Sequence, residues 1–345
     1  MTSEARLLVD AQAELERLLG GKARSLRSAA PVDMLLRVGR WTLVVDAKTS
    51  SASLSVADAA QTLLRYRRAH AEAAIPVVVV PFMGPAGQAV CNELGVSWLD
   101  LSGNADIRGE GLVVHVEGRP NNFKTAGRPS SAFAPKAARV ARVLLVDPTA
   151  ALSHRELVMR TELGGGYVSR TVKRLEAEGY VVRDSKTGKV KVTEPASMLR
   201  DWRASYRFDK HEIRRAHVAV SGDEDLLAIM DHGLSKLSLR YAATGLSAAW
   251  LLASFAGYRT ATFFVERHLT DAEAKKMSLR WTERGANVWV VVPNDEGVYY
   301  DAKPRSGRVP CVHPVQAYLD LKGHPERAEE AAQALEQRFL TWQRG

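Results

Sequence analysis

Residues 153–193 read SHRELVMRTELGGGYVSRTVKRLEAEGYVVRDSKTGKVKVT, and this stretch decides the architecture of the middle of the chain. Ser153 and Glu156 have the S-x-x-E spacing of a capping box, in which a hydroxyl and a carboxylate satisfy the first free N–H groups of a helix. A helix is therefore expected from 153 to about Thr161. Gly164, Gly165 and Gly166 supply a sharp turn at little steric cost. A further helix is expected from Tyr167 to Glu178, with Gly179 just past its end. On that helix Val168, Val172 and Leu175 share one face. Arg170, Lys173 and Arg174 share the other, with Ser169 and Thr171 nearby. Tyr180–Arg183 and Val190–Thr193 then read as two short strands around a turn, Ser185–Lys189, with lysines at its tip. Upstream, AARVARVLLVD (137–147) predicts a preceding helix that stops before Pro148. Helix, helix, turn, helix and basic hairpin make a winged helix-turn-helix over residues 136–195.

Between residues 167 and 191 there are seven Lys or Arg against three Asp or Glu, so four of the chain's nine surplus positive charges fall in 25 residues. A helix presenting such side chains can enter a major groove. Its Arg and Lys would meet phosphates or guanine edges, and its Ser and Thr bases or phosphates. The expected DNA-contacting set is Ser169, Arg170, Thr171, Lys173, Arg174, Lys186, Lys189 and Lys191, with double-stranded DNA as the partner. A second basic stretch, Arg200, Arg203, Arg207, Lys210, Arg214 and Arg215, is interrupted by Asp201, Asp209 and Glu212. It reads as a solvated connector.

The whole chain has 345 residues, 46% hydrophobic and 25% charged, with 48 Lys or Arg against 39 Asp or Glu. These values exclude global disorder, collagen and coiled-coil filaments, and the length requires two or three domains. The net charge of +9 permits a polyanionic partner without proving one. Cys91 and Cys311 are too few and too far apart for a disulfide framework or a thiolate zinc cluster, and read as buried thiols. The nine histidines show no H-x₃-H or H-E-x-x-H spacing, so no cofactor is expected. No secretory apolar region or membrane-length run is present, and a cytoplasmic, nucleoid-associated protein is expected.

Up to about residue 125, buried-strand signals alternate with helical ones. The strands are Trp41–Val45, Ile75–Phe82, Ser97–Leu101 and Leu112–Val116. The helices are Ala11–Leu19, Val56–Ala73 and Gly87–Leu94. This predicts an α/β domain over 1–125 with both sheet faces covered. Residues 126–135, rich in Pro, Ser and Gly, read as a linker. Residues 205–345 mix helices and strands, giving a C-terminal α/β domain suited to sensing, dimerisation or partner binding. Trp202, Trp250, Trp281 and Trp289 read as core or domain-contact aromatics. His154 is expected to be exposed. Asp100-Leu-Ser-Gly-Asn104 reads as a locally stabilised turn.

One constellation in the first domain carries possible chemistry. The strand at 41–45 runs into Asp46-Ala-Lys48, and in a strand Asp46 and Lys48 point to one face. Asp33 lies thirteen residues upstream. Two carboxylates can hold Mg²⁺, and a lysine can orient water or stabilise developing negative charge. Glu14 or Glu16 is a further candidate ligand.

The Asp33, Asp46-Ala-Lys48 arrangement resembles the restriction-endonuclease-like PD-(D/E)xK superfamily. The resemblance implies catalytic roles for Asp33, Asp46 and Lys48, with Asp33 and Asp46 as metal ligands. The proline usual beside the first acid is displaced to Pro31. The winged unit, the segment Tyr241-Ala-Ala-Thr-Gly-Leu-Ser-Ala248 and the segment Val312-His-Pro-Val-Gln-Ala-Tyr-Leu-Asp-Leu321 together resemble AbiEi-family antitoxins of type IV toxin–antitoxin systems, over roughly residues 136–340. That resemblance implies a DNA-binding winged helix joined to an α/β domain. The extra N-terminal domain departs from the short antitoxin pattern and favours a broader regulator.

The sequence therefore predicts a multidomain α/β and α+β protein: a restriction-endonuclease-like N-terminal domain that has lost catalysis, a central winged helix-turn-helix and a C-terminal α/β domain. Its expected function is sequence-specific transcriptional regulation, with a homodimer on a near-palindromic operator. A Mg²⁺-dependent DNA endonuclease and a protein-binding antitoxin are the alternatives.

Overall fold

The computed structural model describes residues 4–27, 32–70, 73–123, 132–220, 226–254, 257–305 and 309–342. Most of the expected linker, and Pro31, lie outside the described residues. Two compact units emerge: Met1–Ser130 with Glu176–Gly179, and Ser131–Leu175 with Tyr180–Gly345.

The first unit runs α1 (Glu4–Leu19), β1 (Ala23–Leu26), β2 (Met34–Val38), β3 (Trp41–Ala47), α2 (Ser53–His70), β4 (Ile75–Val80), α3 (Pro85–Leu94), β5 (Ser97–Asp100), β6 (Ala105–Gly109) and β7 (Leu112–Val116). Its seven strands lie in sequence order in one mixed sheet. Only β3–β4 and β4–β5 pair in parallel, because those connections pass through α2 and α3; the others are antiparallel. Alternation along the strands builds two cores. Leu43, Val45, Val77 and Val79 pack with Leu7, Ala11 and Leu15 of α1. Val44, Val78, Val80 and Trp98 pack with Val56, Leu63, Val90 and Cys91 of α2 and α3. The apolar run Ile75–Val80 is buried throughout because both of its faces are covered.

Sequence patterning anticipates β3, β4, β5 and β7 but not β1, β2 and β6. Those three carry arginines or aspartates on one side, and β1 (Ala-Arg-Ser-Leu) has little apolar content. They are strands because a neighbour supplies their hydrogen bonds.

The second unit opens with α4 (Ala138–Val146), α5 (His154–Thr161), α6 (Gly165–Ala177), β8 (Val181–Arg183), β9 (Val190–Val192) and α7 (Pro195–Ser205). It continues with β10 (Glu212–His217), α8 (Leu226–Ser235), β11 (Tyr241–Thr244), α9 (Gly245–Ala253), β12 (Ala261–Val265), α10 (Asp271–Lys276), β13 (Arg280–Trp281), β14 (Val288–Val292), β15 (Lys303–Arg305), β16 (Val309–Cys311), α11 (Pro314–Asp320) and α12 (Ala328–Phe339). The larger sheet has the order β13-β10-β14-β12-β11-β16-β15. Phe263, Val265, Val288 and Val290 of its central strands pack with Leu227, Met230 and Leu234 of α8. The winged helix, apart from Glu176–Gly179, and the C-terminal sheet belong to this one unit, and α7 spans the interval between them.

Both cysteines are buried. Among the tryptophans, Trp202 is buried and stacks on Phe133 at 5.9 Å. Trp250 departs from the core expectation: it sits on the outer side of α9 and is 42% exposed. No helix among the described residues is long and apolar enough to cross a membrane.

Candidate nucleic-acid interface

The winged unit is assembled from local signals. At the start of α5, Ser153 Oγ accepts from Glu156 N at 3.2 Å, and Glu156 Oε2 accepts from Ser153 N at 2.8 Å. Both halves of the capping box are therefore in place. The turn into α6 differs from expectation in how it is made. Glu162, not a glycine, takes the left-handed conformation at φ 56°. Gly165 serves close approach instead: a Cβ there would stand 3.1 Å from the ring of His154. Exposed His154 lies with Nε2 3.0 Å from the Gly165 carbonyl, which places its proton on that nitrogen.

Helix α6 starts at Gly165, two residues earlier than expected, because Gly164 O accepts from both Tyr167 N and Val168 N. Val168, Val172 and Leu175 are buried. Arg170 and Lys173 are exposed on the opposite side, and Ser169 and Arg174 are half-buried. The Arg170 guanidinium carbon sits 5.9 Å from the ring of Tyr167. Thr171 corrects the expected contact set. It is 6% exposed and its hydroxyl donates to Tyr167 O at 3.0 Å, so it faces inward. Spacing alone misleads there, because Thr171 is next to Val172 and falls on the edge of the apolar stripe.

The wing is a defined hairpin, not a loose basic loop. Val181 pairs with Val192 and Arg183 with Val190, while Leu152 bridges Val190 as a third partner. At the tip, Asp184 Oδ1 accepts from Lys186 N at 3.0 Å, Thr187 N at 2.6 Å and the Thr187 hydroxyl at 2.8 Å. Those N–H bonds hold the Asp184 carboxyl below its usual range. Gly188 takes φ 67°, and Lys186, Lys189 and Lys191 all stay exposed. The two-residue period sends Val190 and Val192 inward and Lys191 outward. The arrangement offers a basic helix face and a basic hairpin in one motif. Arg155, exposed on α5, is a further cation on this motif that the sequence reading passed over.

The second basic stretch is largely engaged internally. Arg203 pairs with Glu329 at 2.8 Å, Arg207 with Asp209, and Arg215 with Glu283 at 2.7 Å. Arg214 lies 3.8 Å over the Trp281 ring.

In the first unit, Asp33, Asp46 and Lys48 do come together. The β2–β3 pairing sets Met34 opposite Val45, and Asp33 Oδ2 accepts from Ala47 N at 2.7 Å. Lys48 Nζ lies 3.0 Å from Asp46 Oδ1 and 3.9 Å from Asp58 Oδ2 of α2. Asp46 is 2% exposed. Burial raises its pKa against the opposing pull of Lys48. For Lys48, burial acts downward, but Asp46, Asp58 and Asp33 outweigh it and the net shift is upward. Glu14 and Glu16 do not join this group. Glu14 binds Arg17, and Glu16 binds Lys22 and Ala23 N. The physical reason is the pleat: Asp46 shares the face of Val44, beneath α2 and α3, whereas α1 covers the other face.

Among the described residues no group of three His, Cys, Asp or Glu side chains is placed to hold a metal ion. Lys48 Nζ and Asp46 Oδ1 form an ion pair at 3.0 Å, with Lys48 partly open to solvent. Asp100 holds a local turn. Its carboxylate accepts from Met83 N, Ser102 N, Asn104 N and Asn104 Nδ2 at 2.9–3.1 Å, which stabilises the turn into β6.

Comparison with known families agrees with this geometry. Residues 133–189 match the model of the MarR family. Residues 191–341 match a model described as transcriptional regulator, AbiEi antitoxin, type IV TA system. No curated protein and no solved structure matches the chain. The chain carries an AbiEi/MarR-like winged-helix DNA-binding domain, and its function is that of a DNA-binding transcriptional regulator.

Proposed function

We propose that this regulator is sequence-specific, with α6 in the major groove and the β8–β9 wing on the flanking backbone. The observation that carries this reading is the exposed row of Arg170 and Lys173 beside Lys186, Lys189 and Lys191, on a helix whose other face is locked into the core. Arg170 and Lys173 reach base edges or phosphates, with Ser169 and Arg174 beside them. The wing lysines hold phosphates, and Thr171 takes no part. One winged helix reads a short site, so a homodimer on paired half-sites supplies the remaining specificity. The test is a mobility-shift series with genomic fragments against scrambled DNA at physiological salt, paired with sedimentation analysis. Equal affinity for every fragment refutes the specificity. A monomer on the bound operator refutes the dimer.

The N-terminal domain supports a second reading, a restriction-endonuclease-like fold without cleavage. Asp33, Asp46 and Lys48 converge at the end of β3 as that resemblance implies, yet Asp46 is buried and ion-paired. Incubation of the protein with supercoiled DNA and Mg²⁺ or Mn²⁺ is expected to leave the DNA intact. Nicking that disappears in Asp46→Ala would establish the endonuclease instead. The antitoxin role suggested by the description of the C-terminal match is tested by co-purification of a stable protein partner from cells.

A further inference from the structure

The segments 241–248 and 312–321 have no part in the basic face, yet the fold brings them together around one buried polar chain. Arg142 of α4 donates from Nε and Nη2 to Gln316 Oε1 at 3.0 and 2.7 Å. Gln316 Nε2 donates to Asp320 Oδ1 at 2.8 Å and to the Tyr206 hydroxyl at 3.1 Å. The Tyr206 hydroxyl and the Thr244 hydroxyl donate to the two oxygens of Asp320. Tyr206 in turn lies 2.8 Å from His211 Nε2, and His211 Nδ1 accepts from Asn294 N at 3.0 Å. The bonding is self-consistent with a neutral His211 protonated on Nε2. The chain thus runs from the first helix of the winged unit, through α11, to the ends of β10, β11 and β14.

Arg142, Gln316 and Asp320 are almost wholly buried, and no helix needs polar groups there for its own formation. Apolar residues of the same volume would pack such a junction as well or better, since a buried polar set contributes little net stability. Apolar contacts are non-directional and tolerate sliding, whereas the directional bonds of this chain are made in one geometry, with Arg142 Nη1 left buried and without a partner. We propose that it fixes the orientation of the winged helix on the C-terminal sheet, making Arg142 and Gln316 positioning residues for DNA binding.

This inference rests on the DNA-binding role, and a distance measurement without DNA separates the two. Cys91 and Cys311 are buried, so spin labels go selectively on Met159→Cys of α5 and Gln333→Cys of α12, both exposed positions. In the otherwise native chain a single narrow distance distribution is expected. In the Arg142→Met/Gln316→Met background the distribution is expected to broaden and operator affinity to fall at least tenfold. Far-UV dichroism should be unchanged, and Arg142→Lys should restore part of the affinity. A narrow distribution in the double variant overturns the proposal, as does a broad one with undiminished affinity. If the double variant fails to fold, Tyr206→Phe cuts the same chain at constant volume. It is expected to broaden the distribution and lower affinity severalfold, and native values for it overturn the proposal equally.

Discussion

Arg139 and Asp295 are 156 residues apart in sequence and meet as a two-pronged ion pair. Arg139 Nε lies 2.8 Å from Asp295 Oδ1, and Nη2 lies 2.9 Å from Oδ2. Glu296 Oε1 and Thr161 O accept from the same guanidinium at 3.0 and 3.3 Å. Both partners are nearly buried, and Asp295 is the first counter-charge of Arg139, with the more exposed Glu296 second. The Asp295→Ala variant leaves that charge to Glu296 and should lose about 3 kcal/mol of unfolding free energy. Urea titration checks this, and a loss below about 0.5 kcal/mol would show that the pair behaves like a surface contact.

The turn that delivers Asp295 requires a glycine. A Cβ on Gly297 would stand 2.7 Å from Arg139 Cγ, 2.7 Å from Asp295 Oδ1 and 2.8 Å from Arg142 Nη1. Gly297→Ala should therefore destabilise by about 2 kcal/mol through overpacking, with the effect read by thermal unfolding. Gly84→Ala, where a Cβ meets nothing within 4 Å, is the control and should be close to neutral.

The basic face predicts two kinds of DNA defect. Arg170→Ala and Lys173→Ala should each weaken operator binding roughly ten- to a hundredfold and relax discrimination against mismatched sites. Lys186→Ala and Lys189→Ala should weaken all sequences alike and each lower the slope of log K against log salt by about one. Thr171→Val should leave affinity unchanged because its side chain faces inward. A strong, sequence-dependent defect in Thr171→Val would contradict the orientation of α6.

His211 and Asp320 make opposite contributions to the pH dependence of stability. Burial, aided by the nearby Arg142 charge, lowers the His211 pKa from 6.5 to about 4. The folded state then binds fewer protons than the unfolded chain, so this contribution is complete above pH 6.5 and drains away as pH falls to 4. Burial raises Asp320 from 3.8 to about 7 against the pull of its hydrogen bonds, so its contribution is complete below pH 4 and declines as pH rises to 7. In the native chain the two slopes offset one another. Asp320→Asn removes one of them, and its unfolding free energy should fall more steeply from pH 6.5 to 4 than that of the parent. Parallel curves would mean that the Asp320 carboxyl is not raised in the folded state.

Cys91 lies in the core with its thiol pushed up to about 12, chiefly by burial and also by Asp106. Cys311 is equally enclosed. Neither should react with a thiol reagent at pH 8 until the chain unfolds, and two thiols should then appear. Rapid reaction of either in the native state would place it at the surface.

Short-range chemistry made the winged unit readable from the amino acids alone. The Ser153–Glu156 box, the valine and leucine stripe of α6, the Ser185–Lys189 turn and the alternation that sends Lys191 of β9 outward act within a few residues of one another. So do the apolar runs that become β3 and β4, since a strand covered on both faces must be apolar along its length. Asp46 and Lys48 could be placed on one face by the two-residue period, but the position of Asp33 needed β2, a strand that exists only through its partners. The same holds for Arg139 and Arg142. In sequence they look like the solvated cations of an amphipathic helix, and only Asp295 and Gln316, brought from far along the chain, make their burial tolerable. Periodicity reports which side of a helix is apolar; what lies against that side, and whether a charge there finds a counter-charge, is settled by long-range packing.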